Sequence, residues 1–350
     1  MRKFPLAKGM PQILLDRVTR LLPPLKVSEI TGVRSSYNEC CGEFIGCTLN
    51  SRQLLEMPEK KVIEKISAYV RLATKNGAKI VGLGALTSVV GDAGITVANN
   101  TDIPVTTGNS YTIYTALEGV KYAAKKMGIG FNKAKIVILG ATGSIGSVCA
   151  QLVARENKDL TLIARRKPEL GKLRAKIMYD TGVAVKISND GGALQEADII
   201  IAVSASLDYQ IHPADIKPGA VICDVARPRD VSPAVAKERD DVLVMEGGVV
   251  DVPGEPQFNF DFGFPSGKCY ACMAETMILA LEKQYESYSL GRDITIDKVL
   301  AIGELSKKHG FKLAGLRSFE RSLTEEKIAA IKKAADTRRN NTGVVSAVND

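Results

Sequence analysis

The stretch KIVILGATGSIGS, Lys135–Ser147, decides the fold. Its first six residues are a short apolar run, as expected of a parallel strand buried on both faces. The run passes straight into three glycines, Gly140, Gly143 and Gly146, spaced GxxGxxG rather than GxGxxG. The first glycine permits a tight turn, the second lets backbone approach a pyrophosphate, and the third lets the following helix pack closely on the strand. The helix start then offers free N–H groups and a positive dipole end. Thr142 and Ser144 add hydroxyl donors within the loop, and Ile145 completes it. A glycine pattern alone is weak, but here it lies between a strand and a helix at the head of a strand–helix series, the context a dinucleotide site needs.

Working outward, similar apolar runs follow at 159–165, 184–188, 197–205, 220–226 and 241–250, with helix-compatible segments at 144–156 and 167–180. This alternation predicts a doubly wound parallel sheet. Upstream, 58–77 reads as an amphipathic helix with Val62, Ile66, Tyr69, Val70 and Ala73 in one stripe. Strand-like pieces AKIVGLGAL and DIPVTTGNSYT surround a Gly-rich loop, and a helix is expected from about Thr112 to Met127. After Pro253 the pattern turns helical, at about 270–288, 295–309 and 322–336, the last opened by a Ser322/Glu325 capping box. The expected fold class is α/β: an N-terminal α/β substrate domain (1–115), an NAD(P)-binding Rossmann domain (116–255), a helical segment packing back on them (256–336) and a disordered tail (337–350).

The second strand chooses the cofactor. A site for NAD usually carries an acid about 20 residues on, to hold the ribose hydroxyls. Here the strand ends in Ala164, Arg165, Arg166 and Lys167. A 2′-phosphate suits those cations, and arginine can grip it with two parallel hydrogen bonds. The cofactor is therefore expected to be NADPH. Gly247 and Gly248, just after the last strand, fall where ligands lie at strand carboxyl ends, or form an ordinary turn.

Bulk properties exclude other classes. No apolar run approaches the length of a membrane span, so no stable membrane insertion is expected. The start of the chain lacks a secretory pattern. Seven cysteines without disulfide-like spacing predict a reduced, cytoplasmic protein. Net charge is +8, and residues 119–155 hold six cations and no acid, a stretch suited to a phosphorylated ligand, an acidic protein or plain solvent. With aromatics at 5% and no zinc-finger or RNA-binding signature, no nucleic acid is expected.

The pair Cys269 and Cys272, in GKCYACMAET, is open to several readings. A structural zinc wants four ligands, and the remaining cysteines with His212 and His309 do not supply a second close pair, so no metal is expected. Cys272 lies near a helix start, where the dipole favours thiolate. A thiolate with NADPH suggests attack on an acyl thioester followed by reduction to an aldehyde. A small buried apolar residue is the equal alternative.

Seven blocks now stand together: GLGALTSVVGD (82–92), VTTGNSYT (105–112), VILGATGSIGS (137–147), LTLIARR (160–166), VLVMEGGVV (242–250), CYACMAETM (269–277) and GRDITIDKVLAIGELSKKHGF (291–311). On them the chain resembles the long-chain acyl-[acyl-carrier-protein] reductases known from cyanobacteria, from about Gly42 to Phe311. The resemblance implies an acyl-binding α/β domain, a central NADPH domain and helical C-terminal elements. It implies Cys272 as the nucleophile and Cys269 as its bystander, Arg165 as the 2′-phosphate ligand, and the turn Gly140–Gly146 for the pyrophosphate. The implied acyl donor is acyl carrier protein or acyl-CoA, and a downstream partner that consumes aldehyde fits the same picture. One block departs: the family has Thr-His-Thr after TGN where this chain has Ser110, Tyr111 and Thr112. Tyr111 is then the candidate proton donor, though a poor base at neutral pH, and Asn109 a substrate contact. Two other readings keep the fold: a shikimate-dehydrogenase-like carbonyl reductase using a pair such as Lys121 and Asp102, and a non-catalytic nucleotide-binding protein.

Overall fold

The computed structural model describes residues 12–204, 210–226, 229–261, 263–292 and 294–347. The chain divides into two units. The first gathers residues up to Gly108, Val252–Gly291 and Leu305–Gly310; the second holds Asn109–Asp251, Arg292–Glu304 and the chain from Phe311 onward.

In chain order, the first unit opens with helix α1 (Gln12–Leu21), strands β1 (Leu25–Arg34) and β2 (Glu39–Gly46), helices α2 (Ser51–Glu56) and α3 (Glu59–Lys75), strand β3 (Val81–Gly82), helix α4 (Ile95–Asn99) and strand β4 (Val105–Thr106). The second supplies α5 (Asn109–Met127), β5 (Ile136–Leu139), α6 (Ser144–Ala154), β6 (Leu160–Ile163), α7 (Lys167–Thr181), β7 (Lys186–Ser188), β8 (Ile199–Ala202), β9 (Val221–Asp224), α8 (Pro233–Glu238), β10 (Leu243–Glu246) and β11 (Val249–Asp251). The chain then gives β12 (Gly254–Gln257), β13 (Lys268–Tyr270) and α9 (Ala271–Glu282) to the first unit. It ends with α10 (Ile296–His309), β14 (Lys312–Leu313), β15 (Arg317–Ser318), β16 (Arg321–Ser322) and α11 (Glu325–Ala347).

Six strands of the second unit form a parallel sheet in the order β7-β6-β5-β8-β9-β10. The chain leaves β5 toward one edge and returns to its other side, so the order reverses between β5 and β8. Alternation of side chains across the pleat explains the mainly apolar runs. Ile138, Leu162, Ile201, Cys223 and Met245 enter one core. Val137, Leu139, Ile163, Ile200, Ile222 and Val244 enter the other. Both faces need apolar residues, and the exceptions are Thr161 within β6, the exposed edge strand β7, and the acids Asp224 and Glu246 at the ends of β9 and β10.

The first unit is built differently from the strand–helix alternation its sequence suggests. Strands β1 and β2 make a long antiparallel hairpin, from Leu25↔Gly46 to Arg34↔Glu39, with β12 on the other side of β1. Strands β3 and β4 are parallel but pair only over Val81↔Val105 and Gly82↔Thr106. Helix α3 presses Val62, Ile66 and Val70 onto Leu83, Val97 and Val105, as its stripe requires.

Several expectations need correction. The run 241–250 is two strands, because β11 leaves the parallel sheet to pair antiparallel with β14. Ser322 does not cap the last helix: it sits in the β15–β16 hairpin opposite Arg317. The cap is Thr324, whose Oγ1 accepts from Lys327 N at 3.3 Å. Residues 337–347 are not a disordered tail but continue α11, while 348–350 lie outside the described residues. The segment carrying Cys272 belongs to the first unit. Among the described residues no helix is long and apolar enough to cross a membrane.

Helix α11 is anchored through a buried acid. Asp241 Oδ1 accepts from Arg239 Nε at 2.7 Å and Arg338 Nη1 at 3.0 Å, and Oδ2 accepts from Arg239 Nη2 at 2.9 Å. Burial pushes this carboxyl up, but the two guanidinium groups outweigh it and hold it below its ordinary value. A lowered folded-state value stabilises above the unfolded value, near 3.9, and that stability is lost as pH falls through the folded one. Asp241→Asn is expected to destabilise the protein by about 3 kcal/mol at neutral pH. In urea unfolding the gap between wild type and variant should close below about pH 4.

Candidate active site

The phosphate turn forms because β5 ends against β6. Gly140 N and Ala141 N both donate to Ile163 O, at 2.8 and 3.1 Å. Gly140 has φ +86°, and a Cβ there would stand 2.6 Å from Ser204 Cα. A Cβ on Gly146 would stand 2.3 Å from Gly140 O, so this glycine lets α6 close on the strand. Gly143 is different. A Cβ there meets only Gly140 O at 3.3 Å, so the space above this exposed glycine is otherwise open. Gly143 is also the cap of α6 and offers no side chain to the first-turn N–H groups. An exposed helix start without a side-chain cap of its own fits an anionic pyrophosphate. Thr142, Ser144 and Ile145 are half-buried beside it.

Arg165 lies two residues beyond the Ile163 carbonyl that holds the glycine turn, so β6 delivers it beside the same turn. It is exposed, as are Arg166 and Lys167. Arg166 is partly engaged by Glu169, at 3.5 Å. The residues present therefore fit an NADP-type dinucleotide. Arg165→Ala is expected to raise the KM for NADPH roughly 10- to 100-fold and leave that for NADH nearly unchanged. Steady-state kinetics with both cofactors measures it, and an unaltered preference would remove Arg165 from the site. Within the basic stretch 119–155, three of the six cations are paired: Lys121 with Glu156 at 2.6 Å, Lys126 with Glu325 at 2.7 Å and Lys135 with Glu196 at 2.9 Å.

Farther along the same sheet edge, buried carboxylates organise the loops after β8 and β9. Asp224 accepts from Ala226 N at 3.2 Å and Val231 N at 3.1 Å. Asp230 accepts from Ser204 N at 2.7 Å and Ser204 Oγ at 2.6 Å. Ser204 is the residue seated against Gly140, so Asp230 fixes the near wall of the turn. Sequence reading missed both acids. Their signal was available: a lone Asp in AVICDVA must find donors if the strand is buried. Gly247 and Gly248 follow β10, three strand spacings or about 14 Å from β5. A Cβ on Gly248 would stand 2.1 Å from Thr115 Oγ1, so that glycine is required for α5 to approach.

In the first unit, Cys272 is the second residue of α9 and is half-buried. Its cap residue Tyr270 makes no side-chain hydrogen bond to the helix start. The loop after β4 lies directly on it. Gly108 has φ +76°, and a Cβ there would stand 2.3 Å from Cys272 Cα and 2.5 Å from Cys272 Cβ. The blocks VTTGN and CYACMAET are thus brought together. Beneath them Glu275, fully buried one turn along α9, accepts from Thr106 Oγ1 at 2.5 Å and Ser289 Oγ at 2.7 Å. Ser289 N donates to Thr106 Oγ1 at 3.2 Å. Glu275 therefore ties the helix that bears the thiol to the loop that covers it. The acid in CMAET gave no periodic signal; only its burial reveals the role. Cys269 is fully buried, and burial, with Cys272 adding to it, pushes its thiol well above the ordinary range.

Tyr111 lies in the second unit, on the first turn of α5, and is 2% exposed. Its ring stacks on Tyr114 at 6.1 Å and meets Phe311 edge-on at 6.5 Å. Asn109 begins the same helix and is half-buried. Of the rival pair, Lys121 is taken by Glu156, and Asp102 is exposed in the first unit.

Residues 121–246 match the sequence model of the Shikimate / quinate 5-dehydrogenase family, which spans the sheet of the second unit. Over 326 residues, 91% of this chain, the protein is 29% identical to aminotransferase PigE of a Serratia species, but it spans only 37% of that protein's length. It is 25% identical over 210 residues, 57% of this chain and 44% of the relative, to a glutamyl-tRNA reductase of Corynebacterium efficiens. It is 33% identical over 305 residues to the long-chain acyl-[acyl-carrier-protein] reductase of Synechococcus elongatus, covering 83% of this chain and 87% of that one. With its NADPH-type Rossmann unit, the chain belongs to the long-chain acyl-[acyl-carrier-protein] reductase family.

Proposed function

We propose that the protein reduces a fatty acyl thioester to an aldehyde through an acyl group carried on Cys272. The observation that carries this reading is the placement of Cys272 in the first turn of α9, half-buried beneath Gly108. The positive end of α9 favours an anion at Sγ. That thiolate attacks the carbonyl carbon of the donor, acyl carrier protein or coenzyme A thioester. The new C–S bond forms as the donor's C–S bond breaks, and the departing thiolate takes a proton. First-turn N–H groups of α9 are suited to hold the carbonyl oxygen as charge develops on it. The turn Gly140–Gly146 and Arg165 hold NADPH, which supplies the hydride when bound. Collapse of the reduced adduct releases aldehyde and returns the Cys272 thiolate. Glu275 and Thr106 keep helix and loop in register, and Asn109 and Tyr111 are assigned to substrate contact and proton supply.

The test needs no cofactor. Purified protein incubated with palmitoyl-CoA in the absence of NADPH should gain the mass of one palmitoyl group, and peptide mapping should place it on Cys272. Absence of an adduct with both coenzyme A and carrier-protein thioesters would end the covalent reading. Direct carbonyl reduction, favoured by the family match over residues 121–246, would then take its place.

A further inference from the structure

Helix α1 turns its polar side inward. Asp16 Oδ1 accepts from Asn50 Nδ2 at 2.9 Å, and Asp16 O accepts from Gln53 Nε2 at 2.8 Å. Thr19 Oγ1 donates to Gln53 Oε1 at 3.2 Å. Lys65 Nζ donates to the carbonyls of Arg20 and Leu22 at the helix end. Residues 16 and 19 share a helix face, so the face that holds the protein is the polar one. Val18 and Leu21 of the same helix are exposed instead. Leu21 is 83% exposed, and Val18, Leu22, Leu25 and Val27 are each more than a third exposed. Among the described residues, these five make up more than a third of the exposed large apolar side chains.

Charge singles out what would cover them. Residues 1–27 contain Arg2, Lys3, Lys8, Arg17, Arg20 and Lys26 against a single acid, Asp16. Arg17 and Arg20 are exposed on α1 itself. A short helix that exposes apolar residues at its end, beside exposed cations, has the character of a segment that lies in a bilayer interface. Ten residues rise about 15 Å, too short to cross the hydrocarbon core. We propose that this corner, α1 with the start of β1, docks on the surface of an anionic lipid bilayer. The leucines enter the headgroup boundary while Arg17 and Arg20 meet lipid phosphates; Lys26 is paired with Glu29 at 2.6 Å. The benefit rests on the thioester-reductase reading: a long-chain aldehyde partitions into lipid and would leave the enzyme there.

Vesicle flotation tests the docking without thioester or NADPH. Wild-type protein should float with phosphatidylglycerol–phosphatidylcholine vesicles, float poorly with phosphatidylcholine alone, and be released by high salt. Leu21→Glu with Leu22→Glu should weaken binding more than about tenfold, since two apolar side chains are replaced by anions. Arg17→Glu with Arg20→Glu should weaken it similarly, each cation near such a surface strengthening binding roughly fivefold. Unfolding curves check that both variants fold, and the arginine variant carries the test if the leucine one does not. No flotation of wild type, or flotation indifferent to both pairs, overturns the proposal. So does self-association without lipid that both pairs abolish, which would assign the corner to a second copy of the chain. A protein that floats but forms no acyl adduct retains the docking and loses the reductase reading; one that forms the adduct but does not float does the reverse.

Discussion

Cys272→Ser is expected to lower aldehyde formation about 1,000-fold or more while NADPH binding stays within twofold of wild type. The serine hydroxyl is a far weaker nucleophile at neutral pH, and the helix dipole that favours a thiolate cannot ionise an alcohol to a useful extent. The change removes no packing of consequence, because Cys272 is only half-buried. The cofactor turn, in the second unit, is untouched. Aldehyde production from acyl-CoA and NADPH gives the first quantity, and isothermal titration calorimetry with NADPH gives the second. Substantial turnover in this variant would show that hydride reaches the substrate carbonyl directly, and the shikimate-dehydrogenase-like mechanism would replace the covalent one.

Gly108→Ala should lower kcat about 100-fold or more, with Cys272 itself unchanged. The new methyl group meets Cys272 Cα, O and Cβ at 2.3, 2.4 and 2.5 Å. These are backbone or backbone-adjacent atoms, so no flexible chain end can swing away. The left-handed φ of +76° adds strain of about 1–2 kcal/mol for any residue with a Cβ. The loop must lift or α9 must shift. A displacement of an ångström at the nucleophile is worth about two orders of magnitude in rate. Rate and stability separate the causes: kcat should fall far more than the modest drop in Tm implies. A variant with kcat within threefold of wild type would mean that the loop after β4 does not shape the thiol's surroundings.

Sequence reading was most successful where one physical constraint acts alone. Strands β5, β6, β8, β9 and β10 are buried on both faces, so each appears as a mainly apolar run, and the glycine turn marks where the series starts. Strands β3 and β4 pair over two residues each, too short for any pattern, although they frame the loop that covers Cys272. The first unit is discontinuous, and periodicity carries no information about which distant segments meet. That is why Gly108 and Cys272 could be joined only by coordinates. Glu275, Asp224 and Asp230 were overlooked for a related reason. Each is a solitary acid whose donors come from other segments, such as Thr106 and Ser289 for Glu275. Tyr111 shows the opposite hazard. The motif suggests chemistry at this position, while its stacked, nearly inaccessible ring also serves the core.

The unequal burial of the two neighbouring cysteines bears on how this enzyme ages under oxidative stress. A peroxide-oxidised thiol is commonly rescued when a nearby thiolate condenses with it to a disulfide, which reductants then open. Burial pushes the Cys269 thiol well above its ordinary range and shields it from solvent, which disfavours it as the resolving partner. Sulfenic acid formed on Cys272 therefore has only a disfavoured route back through that neighbour, and continued exposure drives it on to the irreversible acids. A bound acyl group would occupy the sulfur and delay that damage. On the acyl-enzyme reading proposed above, substrate supply rather than a disulfide to Cys269 would then protect Cys272.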